Sequence, residues 1–561
     1  MRPMPTIRPS ALLALASLVA CAPGGTDRAA GETGGTLVIS APAEPRSLLP
    51  LFAPTVAEKQ VVDQIFDALA EIGPDLNTIG DSGWAPRLAE TWTWSADSLS
   101  ITFRLDPDAK WHDGQPVRAS DVRFSLELYK DPQVGAFDAP NLANVDSISV
   151  VDSITFVAWF KERSPEQFFK LAYYLFVMPE RHLRDVPRAE LASAAFARAP
   201  VGSGPFQFVE WEPRQSIEIV ANTSYHRGRP FLDRVIWTLE TEAITAVAKV
   251  TAGDADFREN VPPDLASRVA SSDLARLVFY PMPNYGFVLF NHRANGDDSR
   301  PHPLFSSRPL RRALSMALDR PAMVRNVLDT LGKVSRGPFA SVLPVADTTL
   351  AGLPYDPVAA AATLDSLGWR DNDGDGVRER NGIPLRFAVT VPATSPPRRR
   401  FAVLIQEQWR KIGARVDVEE YDPARLYPQL AAGRFDVFIH FVQTSPAPSS
   451  VAEAWAHPSP DRRLHNIGLY GNRSIEPIID SAVSEFNAAR SRDLYRRAYR
   501  EIIEDAPAVW LYELRSVGAL NKRVRPVLDR SDMWWRDLRL WWIPAGERID
   551  RDRVALELTA R

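Results

Sequence analysis

Residues 401–441 read FAVLIQEQWRKIGARVDVEEYDPARLYPQLAAGRFDVFIHF. Phe401, Leu404, Ile405, Trp409 and Ile412 recur every three or four residues, an apolar stripe along one face of a helix that Gly413 ends. Arg415 to Glu420 follows as a strand. Asp422-Pro423 then supplies an N-cap with proline at the first helical position, Leu426 and Leu430 share a face, and Gly433 stops that helix. Phe435 to Phe441 returns to strand. Helix and strand alternating over such short distances predict an α/β domain.

The same texture extends outward. Asp356-Pro357 opens a helix with Ala360, Leu364 and Leu367 on one face and Gly368 at its end, and Leu385 to Val391 is the next strand. Downstream, a helical stretch from Pro477 to Asp505 closes at Pro507, and Ala508 to Leu514 is a strand. Before about residue 305 the pattern is strand-rich: Thr36 to Ser40, Ser100 to Leu105, Ile148 to Val151, Ser153 to Phe160 and Ser216 to Val220, several alternating polar with apolar residues. Breakers such as Asp106-Pro107 and Asp113-Gly114 lie between them.

The 561 residues allow about two to four domains. Lys and Arg total 66 against 70 Asp and Glu, net −4, with no run of five like charges. No concentrated basic surface is available for phosphates, so no nucleic-acid partner is expected. The densest basic cluster, Arg398-Arg399-Arg400, opens a helix.

Cys21 is the single cysteine, so no internal disulfide forms. Arg2 and Arg8 precede an apolar stretch, Ala11 to Ala20, too short to span a bilayer. The run Leu18-Val19-Ala20-Cys21 resembles the lipobox of bacterial lipoproteins; the alternative is an ordinary secretory signal with a chance cysteine. The lipoprotein reading makes 1–20 a signal peptide and Cys21 the lipidated residue, anchored stably by several acyl chains. Residues 21–34, rich in glycine, then form a flexible tether.

Catalytic signatures are missing: no G-x-S-x-G elbow, phosphate loop, H-E-x-x-H or G-x-G-x-x-G. The eight histidines are scattered. One loop has metal chemistry. Asp371, Asp373 and Asp375, with Gly376 next, match the start of an EF-hand-like calcium loop, but Gly382 stands where a bidentate Glu is needed. The loop reads either as a calcium site or as an Asn/Asp/Gly-rich surface turn.

An ordered set of motifs now carries a resemblance. Leu88-Ala89-Glu90-Thr91-Trp92, then Trp111-His112-Asp113-Gly114-Gln115-Pro116-Val117 with Ala119-Ser120-Asp121-Val122, then Val201-Gly202-Ser203-Gly204-Pro205-Phe206, then Arg308 to Leu314 with Asp319-Arg320, Tyr355-Asp356-Pro357, Leu367-Gly368-Trp369 and Gly433-Arg434-Phe435-Asp436 run in order along nearly the whole chain. Together they resemble the family 5 extracellular solute-binding proteins, the dipeptide- and oligopeptide-binding components of ATP-driven (ABC) importers. The resemblance implies a periplasmic-binding-protein-like fold of type II: two hinged α/β lobes with an extra domain on the first. Lobe I is expected at 35–82, 197–285 and 506–561, the extra domain at 83–196 and lobe II at 286–505. It further implies a monomeric, non-enzymatic receptor at the periplasm or cell surface, anchored to a membrane through lipid, which captures a peptide or similar solute and delivers it to a permease. A secreted hydrolase, or a sensor for a membrane kinase, is the alternative on the same scaffold.

The expected site lies between the lobes. Ala43 and Glu44 come from the loop after the first strand, and Tyr285 sits near the lobe crossing, its ring suited to stacking on a ligand or to core packing. Phe441, Gln443, Thr444 and Ser445 follow the strand of the second lobe, with Trp455 beyond. Peptide binders of the family carry an Asp for the peptide ammonium where Thr444 stands, so free amino ends are expected to bind poorly unless Glu44 or Glu453 takes over.

Overall fold

The computed structural model describes residues 33–280, 282–458 and 465–553. Cys21, the expected signal peptide and most of the expected tether lie outside them. The tether's last residues do not hang free: Gly34 N–H donates to the Phe231 carbonyl at 2.6 Å, and Arg548 Nη2 donates to the Thr33 carbonyl at 2.9 Å.

Three sheets organise the chain. The first has seven strands in the order Ala275–Tyr280, Ser516–Asn521, Phe257–Arg258, Thr36–Ala41, Arg234–Leu239, Ser216–Ala221 and Phe206–Glu212. The second, wholly antiparallel, runs Ala89–Trp94, Ser100–Leu105, Thr155–Phe160, Val145–Val150 and carries the helices Ala119–Lys130 and Gln167–Tyr174 beside it. The third has six strands: Gly332–Lys333, Ala508–Leu514, Asn284–Phe290, Val437–Gln443, Arg386–Pro392 and Arg415–Tyr421.

These pairings move two expected boundaries. Ala508–Leu514, assigned above to lobe I, pairs with Asn284–Phe290 in the third sheet and belongs to lobe II. Asn284 and Tyr285 belong there too. The chain therefore crosses between lobes first between Tyr280 and Asn284, and again at Arg515. The helical stretch expected as one unit from 477 is two helices, Glu476–Ser484 and Ala488–Asp505, because Asn487 starts a new one by accepting from the N–H groups of Ala489 and Arg490.

The strand Asn284–Phe290 is buried at all seven positions, and its alternation explains why. Tyr285, Phe287 and Leu289 enter a large core shared with the first lobe and the extra domain, whereas Val288 and Phe290 enter the core under the helices Arg308–Met316 and Pro396–Arg410. A strand buried on both faces has no polar side to show.

The tryptophan–histidine signature works as a staple between the extra domain and the first lobe. His112 Nδ1 accepts from the Gly202 N–H at 3.2 Å, so Nε2 carries the proton and donates to the Gly204 carbonyl at 3.0 Å. Burial holds this imidazole down at about 4, hence neutral near pH 7. Gly202 and Gly204 press against the end of the helix Val56–Ile65. A Cβ on Gly202 would sit 1.9 Å from the Ile65 carbonyl oxygen, and one on Gly204 2.5 Å from that of Gln64.

Candidate ligand-binding cleft

Three cavities meet at the end of the strand Val437–Gln443. The first, about 310 Å³, lies in the first lobe between the loop Ala41 to Pro45, the start of the helix Val56–Ile65, and Trp211 and Trp237. The second, about 240 Å³, lies in the second lobe under Tyr285, Phe287, Phe339, His440, Trp455 and Tyr499. The third, about 370 Å³, opens between Asn260 to Pro263 of the first lobe and Leu328, Leu331 and Phe441 of the second. Gln443, whose side chain is exposed, lines all three.

The first wall is fixed locally. Thr55 and Glu58 form a capping box, and the other oxygen of Glu58 accepts from the Arg46 N–H at 3.2 Å, pinning the loop to the helix it precedes. Ala43 and Glu44 line this cavity. Glu44 Oε1 already accepts from Trp211 Nε1 at 2.7 Å and from the Arg214 N–H at 2.9 Å.

The other residues expected at the site divide between cavities. Tyr285, Thr444, Ser445 and Trp455 line the second, and Tyr285 and Trp455 are only 4% and 3% exposed. Phe441 does not join them. Side chains alternate along a strand, so Phe441 points with Ile439 into the second-lobe core, stacks on Tyr512 at 6.0 Å and borders the third cavity, while His440 and Val442 border the second. Thr444 is tied to the first crossing: its N–H donates to the Pro283 carbonyl at 2.7 Å and its hydroxyl reaches the same oxygen at 3.4 Å. Ser445 Oγ lies 3.3 Å from the hydroxyl of Tyr174 in the extra domain, and Ser449 donates through both N–H and hydroxyl to Glu166, also of the extra domain. Extra domain and second lobe are thus in direct contact beside the cavities.

Their charged groups are few: Arg515 lines the third cavity, and two of the three carboxylates are hydrogen-bonded. Glu44, Glu259 and Glu453 are the carboxylates among the described lining residues. Glu259 accepts from Trp534 Nε1 at 2.9 Å, and burial raises its pKa. Glu453 lies 3.7 Å from His465, both largely exposed. His440 is pushed down to about 3 by burial and is neutral. His440, Phe339 and Tyr499 escaped the sequence reading, since they come from three separate segments that only the fold joins. The i, i+4 pair Tyr495 and Tyr499 was the available signal.

Far from the cleft, carboxylate oxygens of Asp371, Asp373, Asp375 and Glu379 lie within 4.8 Å of one another. The three aspartates accept from N–H groups of their own loop, at Gly374, Gly376, Asp375 and Val377, and Glu379 accepts from Asn372. Such bonds are those of an Asp-rich surface turn, and the four carboxylates also stand close enough together to share one cation.

The family model described as bacterial extracellular solute-binding proteins, family 5 Middle, matches residues 83–462. The chain belongs to this family. Family 5 consists of solute-binding proteins, not enzymes, and the hydrolase and kinase-sensor alternatives find no support in it. The oligopeptide-binding protein AppA of Bacillus subtilis (strain 168) is 26% identical over 529 residues, covering 91% of this chain and 92% of that protein. The nickel-binding periplasmic protein of Escherichia coli (strain K12) is 24% identical, covering 79% of this chain and 82% of that one. Among solved structures, AppA of B. subtilis in complex with a nonapeptide matches with a TM-score of 0.72 at 25% identity, over 91% of this chain and 99% of that one. CtaP of Listeria monocytogenes reaches a TM-score of 0.78 at 20% identity, over 91% and 100%, which bears on fold alone. No helix among the described residues of this family 5 protein is long and apolar enough to cross a membrane.

Proposed function

We propose that this protein is the capture component of an ABC importer, taking an elongated peptide or peptide-like solute in the cleft around Gln443 and handing it to a permease. The carrying observation is the position of Gln443 on all three cavities. Sites for compact small molecules run to about 300–1,000 Å³ in one cavity. Here each space is near or below the lower bound, and three radiate from one residue, an arrangement suited to a chain-like ligand. The AppA relative, crystallised with a nonapeptide, supports the same reading. Since Glu44 and Glu259 are engaged, Thr444 is neutral and Glu453 is largely exposed beside His465, the ligand is held chiefly by its main chain and uncharged side chains rather than by a terminal ammonium. Closure of the lobes on the ligand follows from its differential affinity for the closed state. Cys21 carries the lipid that keeps the receptor at the membrane surface, and the receptor acts as a monomer.

Mass spectrometry of solute released by denaturing protein purified from its native host tests the reading. Peptides, or amide-linked compounds of several units, are expected. A monosaccharide or a metal chelate as the sole bound species would refute it.

A further inference from the structure

The second cavity carries a specificity of its own. Its walls are rings: Phe287 packs against Tyr285 at 5.4 Å, His440 at 5.3 Å and Trp455 at 5.5 Å, and Phe339 packs against Tyr499 at 4.9 Å. Among these rings two buried polar atoms, the Tyr499 hydroxyl and His440 Nδ1, lack a hydrogen bond to any protein group, and Trp455 Nε1 has only a loose contact with the Tyr285 hydroxyl. Trp455 is 3% exposed and Tyr499 is fully buried, in an interior where polar atoms are nearly always satisfied. Leaving such a group unmet costs about 1–3 kcal/mol, and the indole N–H is a donor only. A ligand oxygen is the complementary partner. No unpaired charge faces this set from within the cavity: Glu453 and His465 stand at the rim, close to each other.

We infer that this cavity is a side-chain subsite for an uncharged ring bearing an oxygen, a phenol such as that of a tyrosine residue in the bound peptide. The rings supply stacking, and the Tyr499 hydroxyl, with the Trp455 and His440 nitrogens, supplies the bonds to the oxygen. Charged side chains are disfavoured because the ringed interior offers them no counter-ion, the lining carboxylate Glu453 being largely exposed at the mouth, and desolvation is uncompensated. This inference rests on the peptide reading of the cleft.

Calorimetry on the full chain with acetylated, amidated pentapeptides Ala-Ala-X-Ala-Ala, X being Tyr, Phe, Lys or Glu, tests it. The Tyr peptide should bind about two- to tenfold more tightly than the Phe peptide, the scale of one neutral hydrogen bond. The Lys and Glu peptides should bind at least about tenfold more weakly than Phe. Tyr499→Phe, which removes one of the groups that bond the oxygen, should narrow the Tyr peptide's advantage over the Phe peptide about two- to fivefold. Equal binding of all four, or an equal loss for both ring peptides in Tyr499→Phe, overturns the subsite while the peptide reading stands. If none of the four binds, the peptide reading falls, and p-cresol against toluene, followed by ligand-observed NMR, decides the cavity alone. Preference for p-cresol that Tyr499→Phe reduces supports the subsite, and no preference, or a preference the variant leaves unchanged, overturns it.

Discussion

Asn284 and Leu514 clasp the two crossings between the lobes to each other. Asn284 Oδ1 accepts from the Leu514 N–H at 2.9 Å, and Asn284 Nδ2 donates back to the Leu514 carbonyl at 3.3 Å. Each lies at the end of its strand in the second lobe, next to where the chain departs for the first. Asn284→Ala strands two backbone groups and should cost about 1–3 kcal/mol in urea unfolding. Asn284→Asp keeps the acceptor but sets a buried carboxylate oxygen against the Leu514 and Met282 carbonyls, so it should be no more stable than Ala. Equal stability of all three would show that the clasp contributes nothing.

The neutral imidazole of His112 sets an acid limit. Its folded pKa of about 4 lies below the ordinary histidine value of 6.5. A depressed histidine favours the folded state fully above pH 6.5, and that advantage shrinks as pH falls toward 4, by about 3 kcal/mol at most. Denaturant melts between pH 7 and 4 should lose stability, and His112→Asn should lessen the slope by one proton. An unchanged slope in the variant would contradict the buried, neutral assignment.

Glu166 and Ser449 join the extra domain to the second lobe, so lobes held apart would break the contact. Ser449→Ala should weaken peptide affinity about tenfold, the scale of a hydrogen bond to a charged group, with little change in melting temperature. A lowered melting temperature with affinity intact would make the contact purely structural.

Thr444→Asp should not create an ammonium site. A carboxylate there loses the donor that Thr444 offers the Pro283 carbonyl and brings a negative charge against that oxygen. Peptides with free and acetylated amino ends should bind the variant equally, and both more weakly than wild type. A selective gain for the free amino end, read by calorimetry, would overturn this.

Cys21→Ser should release the protein from membranes into the soluble fraction of fractionated cells. Retention in the pellet with the leader cleaved would argue against the lipid.

The second lobe was legible because its punctuation is local. Asp356 caps its helix through the Ala359 N–H, and Gly368 and Gly413 end theirs at positive φ, as the sequence predicts. Gly202 and Gly204, quoted above only as part of a motif, prove to be positions closed to side chains. The boundary at 506 failed because Ala508–Leu514 and Ser516–Asn521 are adjacent apolar strands that enter different sheets, and one residue, Arg515, separates them. Local pattern carries no information about which sheet a strand joins. The site was half legible for a similar reason. Residues 441–445 were taken as one surface, but alternation sends Phe441 to one side, and Tyr499 reaches the cavity from a helix 55 residues beyond Thr444 in the chain.

The first strand of the first lobe has a late partner. Thr36 N–H donates to Asp552 Oδ1 at 2.7 Å and Val38 N–H to Asp256 Oδ2 at 2.9 Å, while Arg523 bridges both carboxylates. Strand 36–41 is among the earliest parts made and has Arg234–Leu239 as its parallel neighbour. During synthesis, therefore, the lobe that begins the chain waits for its last segments. Its assembly depends on closing loops of some two hundred to five hundred residues, the slow regime for folding. Until then the apolar strand Thr36–Ala41 has both edges open, a surface able to pair with any other strand it meets.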